Sequence, residues 1–170
     1  MFLSTYVCPK NKDIEEFLLT KAIDFALQGI AQTHLVVVDT ARGPELLGYF
    51  TLANKIADIP ITLLSKTYQK RVQKFGILTP EGTIMIPMPL IAQLGRNFHK
   101  NLSCSITGTE LLEIACEKVM SVQSELGGRC VYLECEDVPF LLDFYYQNGF
   151  RRFSPDILKP DELVRMIKYQ

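Results

Sequence analysis

The sequence predicts a single α+β domain, also describable as α/β, in which a mixed, mostly antiparallel central sheet is flanked by helices. Three observations carry the prediction. Helical and strand patterns alternate along the chain, with no repeat and no Pro/Gly/Ser-rich linker to divide it. A long apolar stripe at helical spacing, formed by Leu111, Ala115, Val119, Val122 and Leu126, stands late in the chain. Ahead of it lies an apolar strand pattern over residues 84–96 that Pro87, Pro89 and Gly95 interrupt. At 170 residues, 48% hydrophobic and 22% charged, the chain has the size and balance of one compact domain, expected to run over residues 1–170.

The elements follow in order. Asp13 with Glu16 three residues on resembles a capping arrangement, opening an amphipathic helix with Phe17, Leu18, Ala22, Phe25 and Ala26 on one face and Gly29 at its end. Valine-rich residues 34–39, a turn at Gly43-Pro44 and residues 46–53 read as two antiparallel strands, with a third at 59–64. Residues 66–75 read as a short helix with Lys66, Lys70 and Lys74 along one side and Arg71 beside them. The irregular strand at 84–96 is expected to splay from a neighbour, because proline has no N–H to donate to a ladder. The helix through Leu111 closes at Gly127-Gly128. Residues 131–135 alternate as a strand. Pro139 opens a helix ending at Gly149, with Phe150 placed for the cap contact, and a last strand pair is expected at 151–154 and 163–168.

Composition narrows the function. A net charge of −1 supplies no global field toward nucleic acid or an anionic membrane. The longest apolar run, 84–92, contains two prolines and falls far short of the ~20 residues a membrane helix needs. The N-terminus has no basic region ahead of an apolar core, so no secretory signal and no membrane partner are expected, and the location expected is cytoplasmic. The five cysteines form no Cys-x-x-Cys pair and His34 and His99 lie far apart, so no metal site is expected and the thiols read as reduced.

Chemistry concentrates in two segments. The first, residues 101–110, joins the irregular strand to the strongest helix. Thr107 and Glu110 fit a capping box that starts the helix near Gly108. The N–H groups of the loop and first turn then face outward with the positive end of the helix dipole, where an anion such as pyrophosphate is favoured. Ser103, Ser105, Thr107 and Gly108 are small enough to let a ligand approach the backbone. The second segment is Asp143-Phe144-Tyr145-Tyr146-Gln147-Asn148-Gly149-Phe150, whose tyrosines on periodicity alone read as core or rim aromatics.

These two segments, in this order and with a strand between them, resemble the GNAT superfamily of N-acetyltransferases, in element order from about His34 to Phe153. The resemblance implies a GNAT-like sheet with its bulged, splayed strand at an acetyl-CoA site. Ser103, Cys104, Ser105, Ile106, Thr107 and Gly108 occupy the place of the family's (Arg/Gln)-x-x-Gly-x-(Gly/Ala) loop, of which only Gly108 matches; Thr109 follows in the helix's first turn. The Tyr145-to-Phe150 stretch matches the family's Tyr-x-x-x-Gly-Phe signature, while its leading asparagine is replaced by Val138. The resemblance implies that acetyl-CoA is the cosubstrate and that Tyr145 is the general acid that protonates the departing thiolate. It also implies that backbone near Asn97 and Phe98 pairs with the pantetheine arm and polarises the thioester. Glu134, Glu136 and Asn97 are candidates for the acceptor side, with no general base identified.

The resemblance thus implies acetyl transfer to a primary amine, with a protein or small-molecule amine ranked ahead of other acceptors. The first alternative is toxin-type acetylation of aminoacyl-tRNA, suggested by the N-terminal helix, the Leu47–Leu52 strand and the basic helix after it. In that alternative tRNA is the partner and Lys66, Lys70, Arg71 and Lys74 meet its phosphates. The second is a degenerate domain that binds CoA or a protein partner without catalysis. For assembly, a homodimer is left open.

Overall fold

A computed structural model describes residues 2–170. Seven strands form one mostly antiparallel sheet, and by contact the chain divides into two compact units. The first comprises the described residues up to Ala53 with Ile91–Lys118, and the second comprises Asn54–Leu90 with Val119–Gln170.

The first unit begins with a 3₁₀ turn, Phe2–Thr5, and a helical stretch built from α1 (Lys12–Glu16), a π-helical turn (Phe17–Lys21) and α2 (Ala22–Leu27). The helix starts earlier than the Asp13/Glu16 pattern suggests. Asn11 is its cap, accepting on Oδ1 from the N–H groups of Asp13 (3.0 Å) and Ile14 (3.2 Å). Glu15 accepts from the Cys8 N–H (2.6 Å), tying the chain's entry to the first turn. Phe17, Leu18 and Ala22 are buried together with Tyr6, Cys8, Leu46 and Tyr49, and Ile14 and Phe25 pack on that cluster.

Strand β1 (Gln32–Thr40) pairs antiparallel with β2 (Gly43–Pro60), with a bulge between Val36 and Val37. The separate third strand expected at 59–64 does not form. No glycine or proline interrupts residues 54–59, so β2 runs on unbroken to Pro60, and residues 61–63 make a 3₁₀ turn.

In the second unit, α3 (Lys66–Val72) is capped by Ser65 and followed by a short strand, β3 (Ile77–Leu78), that the sequence reading missed. Strand β3 forms a hairpin with the start of β4 (Thr83–Arg96), closed by the Thr79 and Thr83 hydroxyls at 2.9 Å. Along β4 the buried positions alternate through Ile84, Ile86, Met88 and Leu90, then slip at Ile91, which is buried directly after Leu90. Successive side chains of a strand point to opposite faces, so from Leu90 to Ile91 β4 is buried on both of them.

Helix α4 (Gly108–Leu126) is the long helix expected, and after it come β5 (Cys130–Cys135), α5 (Pro139–Gln147), β6 (Arg151–Arg152) and β7 (Val164–Tyr169). The order in the sheet is β1-β2-β4-β5-β7-β6, with β3 on β4. Strand β7 pairs antiparallel with β6 as expected and also with the whole of β5, which buries Val131, Tyr132 and Leu133 against Val164, Met166 and Ile167 in the second unit's core.

Candidate active site

The capping box forms as the residues predict. The Thr107 N–H donates to Glu110 Oε2 (2.7 Å) and the Glu110 N–H to Thr107 Oγ1 (3.1 Å), so α4 opens at Gly108. These hydrogen bonds hold the Glu110 carboxyl below its ordinary range. The loop before it follows β4 within the first unit. Asn97, Phe98, Ser103, Cys104, Ser105 and Ile106, all expected at a cofactor site, line one cleft of about 360 Å³ together with Arg96, His99 and Leu102. That volume lies in the range of small-molecule sites.

The donors of this loop divide into two sets. The Ser103 N–H is held by Glu45 Oε2 at 2.6 Å and the Thr107 N–H by Glu110, so both already meet carboxylates. The amides of Cys104, Ser105 and Ile106 bond to no other described residue, and those of Gly108 and Thr109, at the first helical positions, have no intrahelical acceptor. These five N–H groups are the ones available to an anion.

One expectation is corrected. The Asn97 N–H donates to Leu47 O (2.8 Å) and the Phe98 N–H to Val7 O (2.8 Å), so neither amide is left to polarise a thioester carbonyl. The reason is that β4 continues its pairing past Arg96, first to β2 and then to the N-terminal segment. Asn97 is instead a buried staple. Its Oδ1 accepts from the Val7 and His99 N–H groups (3.0 Å each), and its Nδ2 donates to Thr5 O (3.0 Å) and Leu46 O (2.8 Å). This saturation leaves its side chain no capacity to serve an acceptor.

Two guanidinium groups at the loop were not singled out from sequence. Arg96 donates to Ile106 O (2.8 Å) and stacks over the Phe98 ring at 4.7 Å. Arg42, in the turn between β1 and β2, donates from Nη2 to Asn101 O (3.1 Å), Glu45 Oε1 (3.2 Å) and Ser103 Oγ, 61 residues away in sequence. The Ser103 hydroxyl also donates to Glu45 Oε1 (2.6 Å). Hydrogen bonds from Ser103 and then the Arg42 charge hold the Glu45 carboxyl below its ordinary range. No local pattern signals this clamp, because its parts lie on separate elements.

In the second unit, Tyr145 occupies the last turn of α5. The helix ends in a Schellman motif: the Phe150 N–H donates to Tyr145 O (3.0 Å), the Gly149 N–H to Tyr146 O (3.1 Å), and Gly149 has φ +86°. The Phe150 ring meets the Tyr145 ring edge-on at 5.8 Å, completing the apolar contact of that motif. The Tyr-x-x-x-Gly-Phe spacing is therefore the geometry of a helix end that fixes where Tyr145 stands. Burial, with a smaller contribution from the Cys135 thiol, raises the phenol well above its ordinary value, so Tyr145 stays protonated throughout the physiological range.

Of the acceptor-side candidates in this unit, Glu134 is ion-paired with Lys55 (3.2 Å) and accepts from the Tyr132 hydroxyl (2.9 Å), while Glu136 is exposed. Lys66, Lys70, Arg71 and Lys74 are exposed, and none has an acidic partner among the described residues; Arg71 stacks over Tyr169 at 4.8 Å. Among the described residues no three His, Cys, Asp or Glu side chains gather to hold a metal, and no helix is long and apolar enough to cross a membrane.

No family model and no curated protein sequence matches the chain. Solved structures do. A tyrosine-to-phenylalanine mutant of KacT aligns with a TM-score of 0.68 at 19% identity, over 96% of this chain and 85% of that one. AtaT complexed with acetyl-methionyl-tRNAfMet aligns with a TM-score of 0.67 at 20% identity, over 95% and 85%. A tyrosine-to-phenylalanine mutant of the AtaT toxin, bound to acetyl-CoA and the C-terminus of the antitoxin AtaR, aligns with a TM-score of 0.63 at 16% identity, over 98% and 84%. At such identities the likeness is one of architecture, spread over nearly the whole chain, and it agrees with the resemblance carried by the loop before α4 and by Tyr145 to Phe150. The chain has the fold of the KacT and AtaT proteins, a GNAT fold.

Proposed function

We propose that this chain is an acetyl-CoA-dependent N-acetyltransferase of the toxin type, transferring acetyl to the free amine of an aminoacyl-tRNA. The observation that carries the reading is the likeness over 95% of the chain to AtaT complexed with acetyl-methionyl-tRNAfMet. This reverses the ranking from sequence, which placed a protein or small-molecule amine first because the net charge of −1 gave tRNA no field to follow. A net charge averages over the surface; the exposed cations of α3, without acidic partners, offer phosphate contacts despite it. We read the two units as parts of one acetyltransferase domain over residues 1–170.

The residues fit the cosubstrate. The free amides of Cys104, Ser105, Ile106, Gly108 and Thr109 can hold its phosphates, at the positive end of α4. The cosubstrate supplies an electrophilic thioester carbonyl and a thiolate leaving group. Transfer forms a C–N bond to the amine and breaks the C–S bond. Tyr145, held neutral by burial, donates its hydroxyl proton to the thiolate sulfur, and the proton lost by the amine restores the balance through solvent. Asn97 keeps the cleft wall in register and has no part in proton transfer.

The test is incubation of the purified protein with acetyl-CoA and a panel of charged tRNAs, scoring N-acetylated aminoacyl ends, alongside free amino acids, polyamines and peptides. Acetylation of charged tRNA that falls by about 10²–10⁴ in Tyr145→Phe is the expected result. Turnover on another amine alone would replace the tRNA reading. CoA binding without turnover on any acceptor would turn the reading to a non-catalytic binding domain.

A further inference from the structure

Between Asn101 and Glu110 the chain carries no lysine or arginine, so a phosphate held there must draw its counter-charge from another element. Arg42 is the cation fixed to the start of this segment. Its three recorded hydrogen bonds, to Asn101 O, Ser103 Oγ and Glu45 Oε1, all leave from Nη2. Nη1 and Nε have no acceptor among the described residues, and the side chain is 63% exposed. The opposing charge of Glu45 is turned inward: its side chain is only 13% exposed, and both oxygens are occupied, Oε2 by the Ser103 N–H and Oε1 by Ser103 Oγ and Arg42. The surface beside Ser103 therefore presents two unoccupied N–H donor groups of a guanidinium, with its counter-ion withdrawn behind it.

We propose that Arg42 is a ligand-contacting residue, binding a phosphate group of the CoA nucleotide at the mouth of the cleft through Nη1 and Nε while Nη2 keeps it anchored to the loop. The proposal rests on the acetyl-CoA reading above and adds to it a cation at the start of the loop, beside Arg96, which lines the cleft and is held to Ile106 O. Anchoring by Nη2 means the guanidinium is already oriented before the phosphate arrives, which reduces the side-chain ordering cost of binding. Both phosphate positions of CoA, the pyrophosphate and the ribose 3′-phosphate, have the same chemistry toward a guanidinium fork. The experiment separates them.

Acetyl-CoA and its 3′-dephospho form are titrated calorimetrically into wild-type protein, Arg42→Gln and Arg42→Lys across a salt series. Arg42→Gln should weaken acetyl-CoA binding about 10-fold or more at low salt, as expected for losing a charge-assisted contact. Its loss should shrink as salt screens the wild type, and Arg42→Lys should recover part of the affinity. If the defect disappears with 3′-dephospho-acetyl-CoA, the partner is the 3′-phosphate; if it persists, the partner is the pyrophosphate. Equal affinity of wild type and Arg42→Gln overturns the proposal. So does a salt-independent loss that lysine does not recover, which marks Arg42 as a loop strut only. If the wild type itself binds no acetyl-CoA, the acetyl-CoA reading fails and this inference falls with it. Wild-type binding with an unaffected Arg42→Gln removes this inference alone. Melting curves without ligand confirm that both variants fold.

Discussion

Replacing Asn97 with alanine removes four side-chain hydrogen bonds at the point where β4, β2 and the N-terminal segment meet. The bond to Leu46 O is buried, and stranding that carbonyl costs about 1–3 kcal/mol. The bonds to Thr5 O, Val7 N–H and His99 N–H are partly buried, so water can replace some of each, at about 0.5–1 kcal/mol apiece. The sum is roughly 2.5–6 kcal/mol, a large part of the ~5–15 kcal/mol by which a domain is stable. Urea unfolding followed by circular dichroism measures it directly. Asn97→Asp gives a sharper version. It keeps the two accepted bonds but sets a carboxylate oxygen against the Thr5 and Leu46 carbonyls, so at pH 7 the loss should be of similar size. Repulsion raises the folded pKa of that carboxyl above the ordinary ~3.9, so the folded state binds the proton more tightly. The destabilisation is therefore full above the folded pKa and diminishes as pH falls through it, because the protonated carboxyl donates to one of the carbonyls. A loss below about 1 kcal/mol in Asn97→Ala, or a pH-independent loss in Asn97→Asp, would refute the staple.

Two more perturbations test other parts of the structure. Gly149→Ala puts a side chain at φ +86°, which costs about 1–2 kcal/mol and disorders the helix end that positions Tyr145; Gly149→Asn should cost less, and equal melting temperatures for all three proteins would contradict the Schellman geometry. His34 stacks on Phe50 at 5.0 Å, and burial, then the charge of Lys118, lowers its pKa. Its contribution to stability is full above the unfolded value of ~6.5 and is lost as pH falls below it, so His34→Gln should flatten the fall in urea midpoint between pH 7.5 and 5.5; an unchanged slope would assign that fall to other groups.

Local rules read the parts of this protein whose causes lie within one or two turns of chain. The Thr107/Glu110 box sets the start of α4, and the Tyr145–Phe150 spacing sets the end of α5, because both are hydrogen-bond patterns closed over a few residues. The same rules failed where a signal was absent or shared. Nothing in residues 54–59 distinguishes a turn from a continuing strand, and the two-residue β3 is too short to show a period. Asn11 and Asp13 are both cap-forming residue types standing two positions apart, and only the Oδ1 bonds of Asn11 decide between them.

By itself, the sequence determined the fold class, the capped start of α4 and the place of Tyr145 at the end of α5, since periodicity and capping are local. Tertiary structure alone decided that Asn97 is saturated, that the Asn97 and Phe98 amides are engaged, and that Arg42 and Glu45 clamp Ser103. Apart from the local Asn97–His99 and Arg42–Glu45 bonds, those contacts join residues 50 to 92 positions apart, such as Leu47 with Asn97 and Thr5 with Asn97, and pairing across such distances is set by how the strands register in space.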